Sequence, residues 1–428
     1  MTSNMSGKRP RNRALCGKCD RFLLNVSRIG STGELFFLGF FEMIERRSKT
    51  CVLCLLVHKF LAKSGPSVAF WNHQIVLSPR FGVEEFAILC PEICQSAPLG
   101  WVRIIQPNER ISINGQSDSG GIDEALKTGQ IQFKQVRSWL ASCGVAGYHL
   151  AADGNKPWGM FSPRKVHDHP EAKETLVERS LDPRNMLLID VIDECLVKGR
   201  LDVNFVALSY VWGSWGGLEV IKTTAESLNS FCQKGSLSGL GEKLPRVLSD
   251  AMEFVRGIGQ RYLWCDLLCV VSDDPEVRNK QIQMMDAVYS EATLTIIALT
   301  GSHGNMELPG IRPRSRDPIC LSETLNDGSR LVIRYLQLTS FYDSTTYTKR
   351  AWTFQEELLS RRCLYITDRQ MYFKCRFCSH REDDILFNEA NDENVEFRLN
   401  SFPAGYSSLA NVGQNMSLYE RLVGEYSR

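Results

Sequence analysis

Residues 205–213 read FVALSYVWG, and this stretch decides the fold. Residues 205–208 form a continuous apolar run, which is typical of a strand buried on both faces of a sheet. Tyr210, Trp212 and Gly213 follow immediately. Each aromatic side chain joins a large apolar body to one polar group, and the glycine permits a close backbone approach. The stretch therefore predicts a buried strand whose carboxyl end forms one wall of a site.

The chain around this stretch alternates between strand and helix patterns. Strands are expected at residues 187–192, 205–211, 262–271 and 294–299, and helices at 244–258 and 275–292. Such alternation with short connections indicates parallel strands joined by right-handed crossovers. A hairpin is expected at residues 364–373. The pattern predicts an α/β fold with a mostly parallel sheet flanked by helices.

Asp266 is the only charged residue in the apolar run 262–271. Because an unpaired buried carboxylate is costly, Asp266 must be paired, hydrogen-bonded or placed at the carboxyl end of its strand. Ligands of open α/β sheets bind at that edge. Two interpretations stay open: Asp266 belongs to a ligand site, or it caps a neighbouring helix or pairs with a buried arginine.

Residues 349–360 read KRAWTFQEELLS and have the pattern of a helix. Helical spacing places Trp352, Gln355, Glu356 and Leu359 on one side. Apolar and polar groups would share that side, which favours a role for it in a site. The alternative is a solvated surface helix anchored by Trp352.

Arg350 lies near the expected start of this helix. The dipole of a helix does not favour a cation at its N-terminus. We therefore expect Arg350 to pair with a negative group, either Asp266, Glu356 or an anionic ligand.

Four early cysteines have the spacing of a metal site. Cys16 and Cys19 form one CxxC pair, and Cys51 and Cys54 form another. Two such pairs supply the four thiolates of a tetrahedral zinc site, with His58 as a competing ligand. The alternative is that the second pair faces the core from a helix, because free cysteine behaves as a small apolar residue.

A third CxxC pair lies near the end of the expected hairpin. Cys375 and Cys378 are followed by His380, but no fourth ligand is apparent, so we expect no metal there. The chain also lacks a GxxxxGK[ST] phosphate loop, an HExxH helix and a GxSxG turn. None of these familiar catalytic classes is indicated.

The overall composition indicates which classes of partner and which cellular compartment to expect. The 428 residues carry a formal net charge of +1, which gives no argument for a nucleic-acid or anionic-membrane partner. Residues 1–13 are polar and basic and lack the apolar core of a signal peptide. The chain has fifteen cysteines. We expect a cytoplasmic protein with reduced thiols and with no nucleic-acid or membrane partner.

Three blocks of the chain, taken in order, resemble the fungal heterokaryon-incompatibility (HET) domain. They are FVALSYVWG at 205–213, LPRVLSDAMEFVRGIGQRYLWCDLLCVVSDD and KQIQMMDAVYSEATLTIIAL within 244–300, and RAWTFQEELLSRRCLYITDRQMYFKC at 350–375. Together they cover about residues 200–378. The upstream CxxC pairs resemble a cysteine-bearing leader that often precedes this domain.

The resemblance implies a role in non-self recognition, with growth arrest or cell death when incompatible strains fuse. It also implies an α/β fold related to TIR domains, some of which cleave the nicotinamide–ribose bond of NAD with a glutamate. By that analogy NAD is the expected substrate and Glu356 the expected catalytic residue. The expected pocket consists of Tyr210, Trp212, Gly213, Asp266, Arg350, Trp352 and Gln355. Self-association or an allorecognition protein is the expected partner.

Other functions stay open at this point. The same blocks can build a non-catalytic, self-associating signalling module in which Trp212, Trp215 and Trp352 are contact residues. Residues 267–273 depart from the pattern of the family, which allows a degenerate, inactive copy. A zinc-dependent DNA-binding regulator ranks last, because the chain lacks the basic face that phosphate contacts require.

The expected organisation has four parts. Residues 1–13 form a disordered tail, 14–172 a mixed region with both early CxxC pairs and a connector, and 173–378 the HET domain. Residues 379–428 form a C-terminal extension. Because residues 419–428 look like the start of a further stretch of longer relatives, we expect this extension to be truncated.

Overall fold

The fold is described from a computed structural model of the chain. The structure describes residues 14–64, 72–80, 85–94, 98–107, 129–145, 186–334 (without 202, 214, 216 and 218), 338, 342, 345–375 and 378–384. The expected tail at 1–13, the connector and most of the extension at 379–428 lie outside the described residues.

The described residues form fourteen strands and twelve α-helices. The strands are β1 (Phe36–Phe40), β2 (Gln74–Pro79), β3 (Glu85–Leu89), β4 (Gly100–Ile105), β5 (Met186–Asp190), β6 (Cys195–Gly199), β7 (Phe205–Ser209), β8 (Tyr262–Trp264), β9 (Leu294–Ala298), β10 (Cys320–Thr324), β11 (Arg330–Arg334), β12 (Arg362–Ile366), β13 (Met371–Cys375) and β14 (Ser379–Arg381). The helices are α1 (Gly17–Leu24), α2 (Val26–Thr32), α3 (Phe41–Ser48), α4 (Val52–Ser64), α5 (Pro91–Cys94), α6 (Phe133–Val145), α7 (Ala225–Phe231), α8 (Arg246–Gly257), α9 (Asp266–Cys269), α10 (Pro275–Gln283), α11 (Met285–Glu291) and α12 (Ala351–Leu359). Among these helices, none has the length and apolar content that a membrane crossing requires.

The chain divides into two compact units that interleave along the sequence. In their described parts, the first unit takes residues 1–128, 318–337 and 383–388, and the second takes the rest. Residues 318–337 therefore group with the N-terminal residues, although the expected boundaries put them inside a domain at 173–378. The expected boundaries themselves stay predictions.

The first unit contains an antiparallel sheet with the strand order β1-β2-β3-β4-β11-β10. Its core is rich in phenylalanine, and Phe22, Phe41, Phe60 and Phe86 are almost completely buried. Phe60 lies directly over Gly100 of β4, where any larger residue would collide with its ring. Strands β3 and β11 inside this sheet each bury four of their five residues.

The second unit contains a mixed sheet with the order β14-β13-β12-β9-β7-β8-β5-β6. The four central strands, β12, β9, β7 and β8, are parallel, and β7 and β9 are completely buried, as their apolar sequences predict. The pairs on both sides are antiparallel. The α/β class is confirmed, but a mostly parallel sheet is wrong. Tight turns join β5 to β6 and β12 to β13, and a tight turn permits only antiparallel pairing.

The predicted strand at 262–271 is also too long. Strand β8 ends at Trp264, and the helical turn α9 begins at Asp266. A continuous apolar run does not by itself distinguish a buried strand from a buried helical turn, because both bury every side chain. Asp266 consequently lies at the carboxyl end of β8, which is one of the three positions expected for a charged residue in this apolar run.

An internal ion pair joins two distant segments of the second unit. Arg316 donates to both carboxylate oxygens of Glu382, with N···O distances of 2.8 and 2.7 Å, and neither side chain is exposed. Arg316 also donates to the carbonyl of Gly129, and Glu382 accepts from the amide of Met371. Each charge is therefore paired and further hydrogen-bonded, which is the condition under which a buried ion pair is tolerated.

Candidate functional site

The carboxyl ends of β7 and β8 bring the motif FVALSYVWG next to Asp266. The two strands are parallel neighbours, with Ala207 opposite Trp264, so the residues that follow them emerge at one edge of the sheet. The indole Nε1 of Trp212 donates to Oδ2 of Asp266 at 2.8 Å, and the amide of Leu267 donates to Oδ1 at 2.8 Å. The partner of Asp266 is therefore a tryptophan of the opening motif.

Burial raises the pKa of Asp266 to about 6, while the hydrogen bonds from Trp212 and Leu267 act in the opposite direction. A carboxyl group with such a pKa changes its charge just below neutral pH. Perturbed acids of this kind cluster at functional sites.

Three aromatic rings from the motif and the residues after it form a cluster above Asp266. The ring centroids of Tyr210, Trp212 and Trp215 lie between 5.9 and 6.5 Å apart. The Tyr210 hydroxyl is buried without a well-aligned hydrogen bond to any described residue. Burial and the neighbouring Asp266 raise the pKa of Tyr210 well above its usual value. Lys222 places its ammonium 5.3 Å from the Trp212 ring.

Gly213 is required by its backbone conformation and by a close neighbour. Its φ is +47°, and a Cβ there would lie 3.1 Å from the carbonyl oxygen of Ser302. The amide of Gly304 donates to the carbonyl of Trp212 at 2.6 Å. A Cβ on Gly304 would lie 2.5 Å from the ring of Trp215. The loop after β9 therefore packs tightly on the aromatic cluster.

Glu356 enters the same site from helix α12. Its side chain is buried, and Ser209, the last residue of β7, donates to its Oε2. The hydroxyl of Tyr347 lies 2.6 Å from Ser209 Oγ, so it can donate in turn to Ser209. Burial, together with the nearby charge of Asp266, raises the pKa of Glu356 to about 8. The structure thus brings Glu356 and Asp266 within electrostatic range of each other.

Arg350 is the N-cap residue of α12 and lies close enough to Glu356 for its charge to lower the pKa of that carboxyl group. Its Nη1 atom is buried and has no hydrogen-bond partner among the described residues. A buried guanidinium nitrogen without a partner is a group that an anionic ligand can satisfy.

Trp352 and Gln355 lie on the exposed side of α12. Trp352 is 58% exposed, and Gln355 is exposed as well, whereas Glu356 is buried. Trp352 and Gln355 therefore do not share the buried side of Glu356, and a pocket role for either residue stays a prediction. Helical spacing identifies residues that are neighbours on a surface, but the boundary between the buried and the exposed side passes between Trp352 and Glu356.

Several residues that take part in the site were not predicted. Ser209 and Tyr347 contact Glu356 directly or through one hydroxyl, and the hydroxyl of Tyr289 lies beside both carboxyl groups. Glu357, the next residue of α12, is buried and accepts from the hydroxyls of Tyr342 and Tyr365. Ser209 was the detectable one, because a hydroxyl that ends an apolar strand is itself a signal. The tyrosines come from distant segments and carry no local signal.

The four early cysteines also meet, within the first unit. The Sγ atoms of Cys16, Cys19, Cys51 and Cys54 all lie within 4.8 Å of one another, and the Cys19–Cys54 distance is 3.5 Å. Zinc–sulfur bonds of about 2.3 Å place tetrahedral sulfurs roughly 3.8 Å apart, so this group can hold a metal ion. The side chain of Arg47 points a nitrogen at Cys16 Sγ, which offsets part of the negative charge of a thiolate cluster.

A comparison with known protein families finds a match to part of the chain. The family model described as heterokaryon incompatibility protein (HET) matches residues 205–356. The match begins at the first residue of β7 and ends at Glu356, so it contains the aromatic motif, Asp266 and α12 up to its buried acid. This part of the chain is therefore similar to the heterokaryon-incompatibility family. No curated protein and no solved structure matches the chain.

The bond between Trp212 and Asp266 predicts a loss of stability when it is removed. Trp212→Phe keeps an aromatic ring but leaves the buried Asp266 with one donor fewer, so we expect a loss of about 1–3 kcal/mol in urea unfolding. Trp352→Phe changes an exposed tryptophan and is expected to stay within about 0.5 kcal/mol of the wild type. Equal losses in the two variants would mean that the bond does not stabilise the fold.

The raised pKa of Glu356 predicts that stability falls as the pH rises. The native protein holds a proton up to about pH 8, whereas the unfolded chain releases it near 4.5. Across that window the native state binds more protons, so alkali favours unfolding. Melting temperatures of the wild type should fall from pH 5 to pH 9, and the slope should be shallower in Glu356→Gln. Parallel pH profiles would contradict the assigned protonation.

Proposed function

We propose that this chain acts in fungal non-self recognition and triggers incompatibility-linked cell death by cleaving NAD. The observation that carries the proposal is the placement of Glu356. Its carboxyl group is buried beside Asp266, Ser209 and the unpartnered Nη1 of Arg350, and does not face solvent on α12. An acid with a raised pKa in such a setting is a candidate for catalysis.

The chemistry needed is the cleavage of one bond. The C1′–N1 bond of NAD breaks, its electron pair leaves with nicotinamide, and C1′ becomes an oxocarbenium-like centre. Water then adds to C1′ and gives up a proton, which yields ADP-ribose. An ionised Glu356 would stabilise the positive centre, as carboxylates do in glycoside hydrolysis. The aromatic rings of Tyr210 and Trp212 would stack on the flat rings of the dinucleotide.

The raised pKa of Glu356 suits a cationic substrate. Without substrate the group is mostly neutral at pH 7, because its pKa is about 8. A nearby positive charge favours the ionised form of a carboxyl group. The nicotinamide ring carries such a charge, so NAD binding would itself generate the carboxylate. The buried nitrogen of Arg350 would meet a phosphate oxygen of the dinucleotide.

The proposal places the protein in the cytoplasm, where NAD is available, with self-association or an allorecognition protein as the trigger. Its cellular test is expression in a fungal host of the wild type and of Glu356→Gln at equal protein levels. We expect growth arrest and a fall in cellular NAD with the wild type only. Arrest by both proteins would sink the catalytic proposal and leave the family role intact.

One observation favours a second function. Trp352 and Leu358 are exposed on the same helix that carries Glu356, at 58% and 38%. Exposed tryptophan is enriched at protein–protein contacts. A non-catalytic signalling module that associates through α12 would use this surface, and in such a module Trp352→Ala would abolish cell death while Glu356→Gln would not.

The first cysteine cluster is proposed as a structural zinc site. Cys16 precedes α1 and Cys51 precedes α4, so the ion would tie the beginnings of two helices together. Four thiolates and closed coordination are typical of structural zinc. Zinc here would stabilise the first unit and would take no part in the NAD chemistry.

A further inference from the structure

A second cysteine cluster lies in the second unit. The Sγ atoms of Cys143, Cys375 and Cys378 all lie within 4.8 Å of one another. Cys375 ends β13 and Cys378 precedes β14, while Cys143 comes from helix α6. The expectation that no metal binds at Cys375 and Cys378 rested on a shortage of ligands. The third thiol changes that count, because it is contributed by a distant segment.

The turn between β13 and β14 has the backbone arrangement that supports thiolate ligands. The amide of Cys375 donates to the carbonyl of Cys378 at 2.9 Å. The amide of Cys378 donates to Cys375 Sγ at 3.3 Å. Hydrogen bonds from outside the coordination sphere orient ligands and tune their charge.

A fixed positive charge accompanies the third thiol. Nε of Arg362 donates to Cys143 Sγ at 3.2 Å, and Nη1 of the same side chain donates to the carbonyl of Thr293. Three thiolates around a divalent ion carry a net charge of −1, which one guanidinium balances. Three neutral, apolar thiols would not need a positive charge beside them.

Stacked aromatic rings and an exposed edge both belong to the surroundings of this cluster. His380 stacks on Trp139 with centroids 5.9 Å apart and an interplanar angle of 8°, and it stacks on Phe373 as well. Cys143 and Cys375 are buried, whereas Cys378 is partly exposed. Water can therefore reach the cluster from the side of Cys378.

We propose that Cys143, Cys375 and Cys378 bind a zinc ion as three thiolates, with a water molecule in the fourth position. Binding forms three zinc–sulfur bonds and releases the three thiol protons to solvent. Thiolate ligands select zinc over magnesium or calcium, which prefer oxygen. The ion would fasten the end of α6 to the edge of the sheet at β13 and β14.

The test counts metal in the full-length chain, because both cysteine clusters are then present. Protein purified under reducing conditions is stripped with a chelator, loaded with Zn²⁺ alone, dialysed and measured by elemental mass spectrometry. We expect Cys143→Ser and Cys378→Ser each to lose about one zinc per chain relative to the wild type. Cys232→Ser, which changes an exposed cysteine outside both clusters, should lose none. Cys16→Ser with Cys19→Ser reports on the first cluster separately.

Loading with Co²⁺ keeps the test decisive if one variant folds poorly. The wild type should show thiolate-to-cobalt charge-transfer absorption, part of which disappears in Cys378→Ser, the variant at the partly exposed position. Zinc content and cobalt absorption that are the same in the wild type, Cys143→Ser and Cys378→Ser would overturn the proposal. A disulfide between Cys375 and Cys378 that persists under reductant, with no zinc lost in Cys143→Ser, would overturn it as well.

Discussion

Glu356→Gln should reduce nicotinamide release from NAD by about 100-fold or more, which is the range that one electrostatic contact to the transition state contributes. Glutamine has the shape of the neutral carboxyl group and can still accept from Ser209, so the variant should fold. It cannot ionise, and therefore it cannot stabilise the positive centre at C1′. The measurement is the initial rate of nicotinamide release by self-associated purified protein, with the wild type assayed in parallel.

The matched control is Glu276→Gln, which makes the same chemical change at an exposed position in the first turn of α10. It should retain the rate of the wild type. If Glu356→Gln and Glu276→Gln turn over NAD equally, Glu356 is not the catalytic group. Circular dichroism of both variants would separate a loss of chemistry from a loss of structure.

Arg316→Met should destabilise the second unit by about 3–5 kcal/mol, because it leaves the fully buried Glu382 without its charge partner. The methionine has a similar volume, so little of the effect would come from packing. The expected measurement is the free energy of unfolding in urea at neutral pH. This loss would be a large part of the free energy of unfolding of a typical domain, which is about 5–15 kcal/mol.

An exposed ion pair supplies the comparison. Arg256 lies 3.2 Å from Glu194, with side chains that are 40% and 32% exposed. Arg256→Met should cost less than about 1 kcal/mol, because water screens and replaces the lost partner. Similar losses in the Arg316 and Arg256 variants would show that burial does not set the strength of these pairs.

Much of the central sheet could be predicted from the sequence, because buried parallel strands have continuous apolar sequences. Strands β7 and β9, the helix α8 and the hairpin of β12 and β13 follow from pattern alone. The antiparallel strands at both sides of the sheet were harder, since pairing direction depends on the turns and on partners far along the chain. The division between the two units could not be predicted, because nothing in the sequences of β10 and β11 indicates which sheet they join.

The site shows the same division between local and distant information. Asp266 stood out as a charge in an apolar run, and Trp212 as an amphipathic ring at a strand end. Their hydrogen bond depends on how β7 and β8 pair, and a local sequence pattern does not indicate that pairing. Cys143 is the clearest case, because one cysteine in a helix gains meaning only when the fold brings it to Cys375 and Cys378.

The most direct measurement of the central proposal is the fate of NAD in contact with the purified wild-type protein. The protein is concentrated or crosslinked to promote self-association, incubated with NAD, and the products are separated and weighed by mass spectrometry. The proposal predicts nicotinamide and ADP-ribose in equal amounts, with NAD falling in step. NAD that stays intact beside a folded, self-associated protein would contradict it.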